Sequence, residues 1–183
     1  FPKKLFFGSD YIYESGDGLP RVEGNPPLTY AKGGYSTVWG ACIMPTDDCD
    51  MKDWPMKKKD LEPFYKNVLR DLPFSAAHDS LEEKFPLYQS NLDPLKLSLG
   101  NKTLLSDISN SNLVDKNNFL FGQARLLIRG SGDASNKGCA YCGYCMSGCV
   151  YKCIYQSGHD LDELIMSGKI DYRSNSLVLS LKE

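Results

Sequence analysis

Five of the seven cysteines in the chain fall between Cys139 and Cys153. The run Cys139-x2-Cys142-x2-Cys145-x3-Cys149 has the spacing of the bacterial ferredoxin sequence, and Cys153 follows it closely. Thiolates separated by two residues on a looping backbone can converge on one soft metal centre, and Gly138, Gly143 and Gly148 give that backbone freedom to turn. Three chemistries suit the run. It could hold a [4Fe-4S] or [3Fe-4S] cluster, whose fourth ligand would be Cys149, Cys153, a remote Cys42 or Cys49, or none. It could instead bind zinc through four thiolates, or consist of structural thiols and local disulfides. Val150 stands where ferredoxins carry Pro. A cluster would give a reduced cofactor a one-electron exit toward an external electron acceptor.

A second segment has a composition suited to close ligand approach. Lys32-Gly33-Gly34-Tyr35-Ser36-Thr37-Val38-Trp39-Gly40 joins paired glycines to hydroxyl residues and an aromatic. Without a Cβ at two successive positions, main-chain N–H groups can face a diphosphate, and Ser36 and Thr37 add hydroxyl donors. The same composition also makes an ordinary tight turn.

In these residues the sequence resembles the glucose-methanol-choline oxidoreductases, in which a Gly-Gly-x-Ser-x-x-(Asn or Trp)-Gly segment lies along the flavin. Further tags occur in the order seen in a bacterial branch of that family. They are Gly8-Ser9-Asp10-Tyr11, Asp53-Trp54-Pro55, Leu61-Glu62-Pro63-Phe64-Tyr65, and Cys142-Gly143-Tyr144-Cys145 with Gly148-Cys149. The resemblance implies an FAD-dependent alcohol or sugar dehydrogenase or oxidase. Gly33, Gly34, Ser36, Thr37, Val38, Trp39 and Gly40 would then bind the cofactor, with Trp39 flanking the ring unless it is a plain core aromatic. The implied fold is an α+β fragment of an α/β, Rossmann-like FAD-binding oxidoreductase.

Two family features have no counterpart in the chain. The strand, Gly-x-Gly-x-x-Gly and helix unit that binds the adenine dinucleotide does not occur. Gly130-Ser131-Gly132-Asp133-Ala134-Ser135 imitates it, but Ser135 replaces the third glycine and Asn136-Lys137-Gly138-Cys139 follows in place of an amphipathic helix. The late His and its His or Asn partner, which handle the substrate proton, are also missing. His78 and His159 lie in unsuitable places, so no catalytic residue is assigned. The chain alone is expected to be inactive.

The rest of the composition is ordinary. Of 183 residues, 42% are hydrophobic and 24% charged, which is globular usage. Twenty-one Lys and Arg face 23 Asp and Glu, so no positive field invites nucleic acid, and Lys57-Lys58-Lys59 reads as a solvated loop. No run approaches the ~18 apolar residues a membrane span needs. Phe1-Pro2-Lys3-Lys4 does not read as a native start or a secretion signal. An odd, crowded cysteine set favours a reducing, cytoplasmic setting.

These sites must be positioned by three stretches. Residues 1–72 carry two short extended runs, Lys4–Phe7 and Tyr11–Tyr13, the Gly-Gly loop and one helix. Asp60 is the expected N-cap of that helix, and Leu61, Phe64, Tyr65, Val68 and Leu69 form its stripe, with Pro63 in the first turn. Residues 73–118, rich in Asn and Pro, read as an irregular excursion or lid. Residues 119–183 hold a strand pair, Phe119–Phe121 with Ala124–Ile128, then the cysteine loop. A helix capped by Asp160 and closed by Gly168 follows, and a hairpin over Lys169–Tyr172 and Leu177–Leu181 ends the chain.

Overall fold

The structure is a computed structural model that describes residues 31–111, 119–132, 137–176, 178 and 180–182. Two compact units share the chain. Among the described residues, one comprises those from Val38 to Tyr155, the other those from Ala31 to Thr37 and from Gln156 onward. The expected extended runs near the start lie outside the described residues.

In the larger unit, Arg125 to Arg129 is the extended segment on which short pieces of chain converge. On one edge, Leu127 N–H donates to Ala41 and Ile43 N–H to the Arg125 carbonyl; further along, Tyr155 N–H donates to Leu127 and Arg129 N–H to Cys153. Leu126 exchanges both of its backbone bonds with Ser75 on the other edge, at 2.8 and 2.9 Å. These contacts form three isolated antiparallel bridges, and among the described residues no longer strand ladder occurs.

Ala124–Ile128 is therefore extended as its β-branched and apolar content suggests, but it does not pair with Phe119–Phe121. That segment is tied instead to one side chain. Ser80 Oγ accepts from Phe121 N–H and donates to the Phe121 carbonyl. Gln123 N–H goes to the Asp79 carboxylate, which leaves no two-residue turn to fold the two runs together.

The core consists of Ala41, Leu69, Phe74, Ala76, Leu87, Leu92, Leu127 and Ile154. Four of these, Phe74, Ala76, Leu87 and Leu92, come from the Asn- and Pro-rich stretch that looks irregular in sequence. That stretch builds the interior although its apolar residues follow no single period.

Helix α1, Lys58–Asp71, carries the expected stripe, but only part of it is covered. Leu69 is buried and Tyr65 stacks on Tyr88, whereas Phe64 and Val68 are exposed. The helix starts before the expected cap. Lys58 N–H is accepted by the Asp48 carboxylate, and Asp60, now the third helical residue, accepts from Lys57 N–H at 2.8 Å. Both carboxylates answer the orphan donors and partial positive charge of a helix start. Pro63 consequently lies a turn deeper than expected, where it withholds a hydrogen bond from the Lys59 carbonyl.

Helix α2, Leu99–Ser109, was not anticipated in the sequence. Ser98 caps it by accepting from Asn101 N–H, but its few apolar residues, Leu99, Leu104, Leu105 and Ile108, make no sustained stripe, and no residue of the helix is buried.

In the smaller unit, helix α3 runs from Ser157 to Met166, so Asp160 lies in its first turn and is not the cap. Its end is as expected. Gly168 adopts φ +66°, its N–H donates to Ile165, and Lys169 N–H reaches back to Leu164. This is the paired closure of a Schellman motif. Nothing lies within 4 Å of where a Gly168 Cβ would sit, so Gly168→Ala costs only the left-handed conformation. A loss of roughly 1–2 kcal/mol is expected in urea unfolding, and an unchanged midpoint would contradict the assignment. The expected hairpin falls partly outside the described residues, and Lys169–Ser176 contains no strand.

Candidate functional site

The Gly-Gly segment is divided by the unit boundary, which falls between Thr37 and Val38. Within the smaller unit, Gly34–Thr37 forms a 3₁₀ turn that follows Gly33 at φ +91° and opens with Gly34 at +55°. Gly34 N–H donates to Ala31 at 2.8 Å. Ser36 Oγ donates to the Gly33 carbonyl and Thr37 Oγ1 to the Gly34 carbonyl. The groups expected to offer donors to a diphosphate thus shape the turn itself.

The two glycines are required for different reasons. A Cβ on Gly33 would sit 2.8 Å from the backbone nitrogen of Gly158 and 3.2 Å from its Cα. That close approach seats the turn on the start of α3, where Gln156 provides no side-chain cap. Ser157 N–H is accepted by Ser36 Oγ at 3.0 Å, and Ser157 Oγ donates to the Gly33 carbonyl. Gly34, in contrast, has nothing within 4 Å of its missing Cβ. Neither Ser157 nor Gly158 was singled out in the sequence, because the contact spans more than a hundred residues and leaves no local signal.

In the larger unit, Trp39 rests against the core. Its indole N–H donates to the Tyr155 carbonyl at 2.8 Å and its ring meets Tyr155 edge-on. Gly40 is exposed, again with nothing within 4 Å of a Cβ.

No family model matches the sequence, and no curated protein matches it.

All five clustered cysteines are described, and each is a free thiol. Cys142 and Cys145 are exposed, Cys139 and Cys149 are half-buried, and Cys153 is buried. Among the described residues no three His, Cys, Asp or Glu side chains are grouped so as to hold a metal ion. The arrangement does not bring Cys139, Cys142, Cys145 and Cys149, or Cys153, to one centre, so it does not by itself fit an iron-sulfur or zinc site.

Cys149 and Cys153 do interact. Cys153 N–H points at Cys149 Sγ at 3.4 Å, while the Cys153 thiol donates to the Lys137 carbonyl. Burial pushes the Cys153 thiol up to about 11, and the neighbouring Cys149 adds to the effect. Burial acts in the same direction on Cys149, but the backbone N–H groups of Cys153, Tyr151 and Ile154 outweigh it and hold that thiol below its ordinary value.

Below α2, the described residues of the larger unit form cavities of about 310 and 400 Å³ that share Leu105, Gly122 and Gln123 in their walls. His78 and Asp79 line the smaller one. His78 is engaged with Glu82 at 2.8 Å. No helix among the described residues is long and apolar enough to cross a membrane.

Proposed function

We propose that this chain is the flavin-facing part of an oxidoreductase, similar to the glucose-methanol-choline family, that oxidises an alcohol or sugar hydroxyl. The supporting observation is the open backbone at Gly40, where no described residue comes within 4 Å of a Cβ position, inside the segment that lies along the flavin in that family. FAD, when bound, would accept the hydride. In the larger unit, Gly40 would hold the cofactor by letting a flat ring or a phosphate approach bare main chain, with Val38 alongside. Trp39, anchored through its N–H to the Tyr155 carbonyl, fixes the chain next to Gly40. In the smaller unit, Ser36, Thr37 and Gly33 keep the main chain at Gly34 in place by bonding within the turn and to Ser157. Cavities of a few hundred cubic ångströms also suit a small polar substrate.

The rival reading, a non-enzymatic metal-binding or iron-sulfur electron-carrier module using the cysteine cluster, has no group of three or more His, Cys, Asp or Glu side chains behind it among the described residues. The two differ in what they bind: a bound yellow flavin supports the first, and a flavin-free protein with stoichiometric zinc or with iron and acid-labile sulfide supports the second.

Gly40 supplies the sharper test. It has no left-handed φ to lose and open space around it, so Gly40→Leu should change stability by no more than about 0.5 kcal/mol. In the complete open reading frame that carries this chain, the substitution should nevertheless weaken flavin retention at least ~10-fold, equivalent to ~1.4 kcal/mol. Equal flavin content in the two proteins would remove Gly40 from the site, and a colourless parent would end the reading. The chain expressed alone should bind FAD weakly, because it contains no unit for the adenine dinucleotide.

A further inference from the structure

We propose that Cys149 and Cys153 are a redox pair that closes to an intrachain disulfide on meeting a small-molecule disulfide and reopens on meeting a small thiol. The inference goes beyond the flavin reading and does not depend on it.

The turn that follows Cys149 creates the juxtaposition. Lys152 N–H returns to the Cys149 carbonyl at 3.0 Å, and Lys152 takes φ +52°, which reverses the chain and directs Cys153 N–H at Cys149 Sγ. A backbone N–H directed at a sulfur favours its anionic form, and the anionic sulfur is the attacking species in thiol–disulfide exchange. Cys149 is half-buried, so a small reagent can reach it. Cys153, 2% exposed, is shielded from the reagent, but its backbone nitrogen already touches the Cys149 sulfur and its own sulfur lies three bonds further on. Rotation about its Cα–Cβ bond, with loss of the contact to the Lys137 carbonyl, turns that sulfur toward Cys149.

The exchange balances in two steps. Cys149 sulfur attacks one sulfur of RSSR, forming a mixed disulfide and expelling RS⁻, which takes up the proton Cys149 gave up. Cys153, deprotonated in turn, attacks the Cys149 sulfur and expels the second RS⁻, which is likewise protonated. Two thiols are oxidised to one disulfide, and RSSR is reduced to two RSH. Excess thiol reverses both steps.

The test is to incubate the chain with oxidised glutathione under non-denaturing conditions, trap remaining thiols with iodoacetamide, and map the products by mass spectrometry. Trypsin cuts after Lys152, between the two cysteines, so the expected product is peptide Gly138–Lys152 joined to peptide Cys153–Lys169, with Cys139, Cys142 and Cys145 alkylated. The free-thiol count should fall by two and recover with reduced glutathione. Cys153→Ser should stop at a glutathione adduct on Cys149, and Cys139→Ser should still form the linked peptide. A bond between any other pair in the parent protein, or a full complement of alkylated cysteines, would overturn the proposal. Because the mapping is done on the parent, a poorly folding variant does not shelter the proposal.

Discussion

Asp79→Ala should destabilise the larger unit by about 3–5 kcal/mol, the range for removing one partner of a buried ion pair. Arg125 is the reason. Its side chain is 1% exposed, and the Asp79 carboxylate accepts from both of its terminal nitrogens, at 3.0 and 2.8 Å. Its remaining neighbours are few. One terminal nitrogen also reaches the Gln123 carbonyl, and the buried Nε has no partner among the described residues. Without Asp79 a guanidinium would remain in the interior with one carbonyl to answer it, a cost that exceeds the solvation regained at the exposed edge of the site.

The same carboxylate also accepts from Gln123 N–H and Leu81 N–H, so its loss frees the bend at Gly122 as well as the short helical turn Ser80–Glu83. Chemical unfolding followed by the fluorescence of Trp39, which lies against this core, would measure the effect. A change below about 1 kcal/mol would mean that the pair does not hold the unit together. Arg125→Met in the Asp79→Ala background should recover part of the loss, since it removes the stranded charge and fills its space.

Gly33→Ala should cost roughly 2–4 kcal/mol, and Gly34→Ala about 1 kcal/mol. Both positions have positive φ, so the contrast does not come from backbone conformation alone. The added methyl at Gly33 would meet the Gly158 backbone at 2.8 Å, a neighbour that can move only if the start of α3 moves with it. Displacing the turn would also withdraw Ser36 Oγ from Ser157 N–H, and α3 has no cap of its own to replace it. At Gly34 the methyl would enter open space. Amide hydrogen exchange over Ser157–His159 separates the two: faster exchange in Gly33→Ala and near-parental exchange in Gly34→Ala are expected. Equal effects would show that the contact with Gly158 is not what requires a glycine at position 33.

The elements most legible in the sequence are those determined by neighbouring residues. The α1 stripe follows from residues within three turns of one another, and Gly168 as a helix terminator follows from the freedom of a single residue. The start of α1 was misplaced because one of its anions, Asp48, comes from ten residues upstream. Helix α2 escaped notice because its few apolar residues, Leu99, Leu104, Leu105 and Ile108, are broken up by Asn, Thr and Ser and make no sustained stripe. In the stretch after Pro73, Phe74, Ala76, Leu87 and Leu92 are buried by pieces of chain far away in sequence.

The candidate sites divide in the same way. The spacing of Cys139, Cys142, Cys145 and Cys149 is plain in the sequence, but spacing measures only how far the thiols could travel. Whether they meet depends on the path of the loop, and here that path favours one pair, Cys149 and Cys153. The Gly-Gly pair was likewise recognisable, with its function expected to lie in a ligand. The structure gives Gly33 a partner in Gly158 and leaves Gly34 open, a distinction made across the chain by backbone contacts that no short motif encodes.

By itself the sequence determined the composition of a folded domain, the apolar face of α1, the left-handed stop after α3 and the crowding of thiols between Cys139 and Cys153. Each rests on interactions among residues a few positions apart. Only the tertiary structure decided that Arg125 is held by Asp79, that Ser36 caps a helix more than a hundred residues away, and that Cys153 N–H is directed at the Cys149 sulfur. These depend on charge burial and close packing, which are set when distant segments come together.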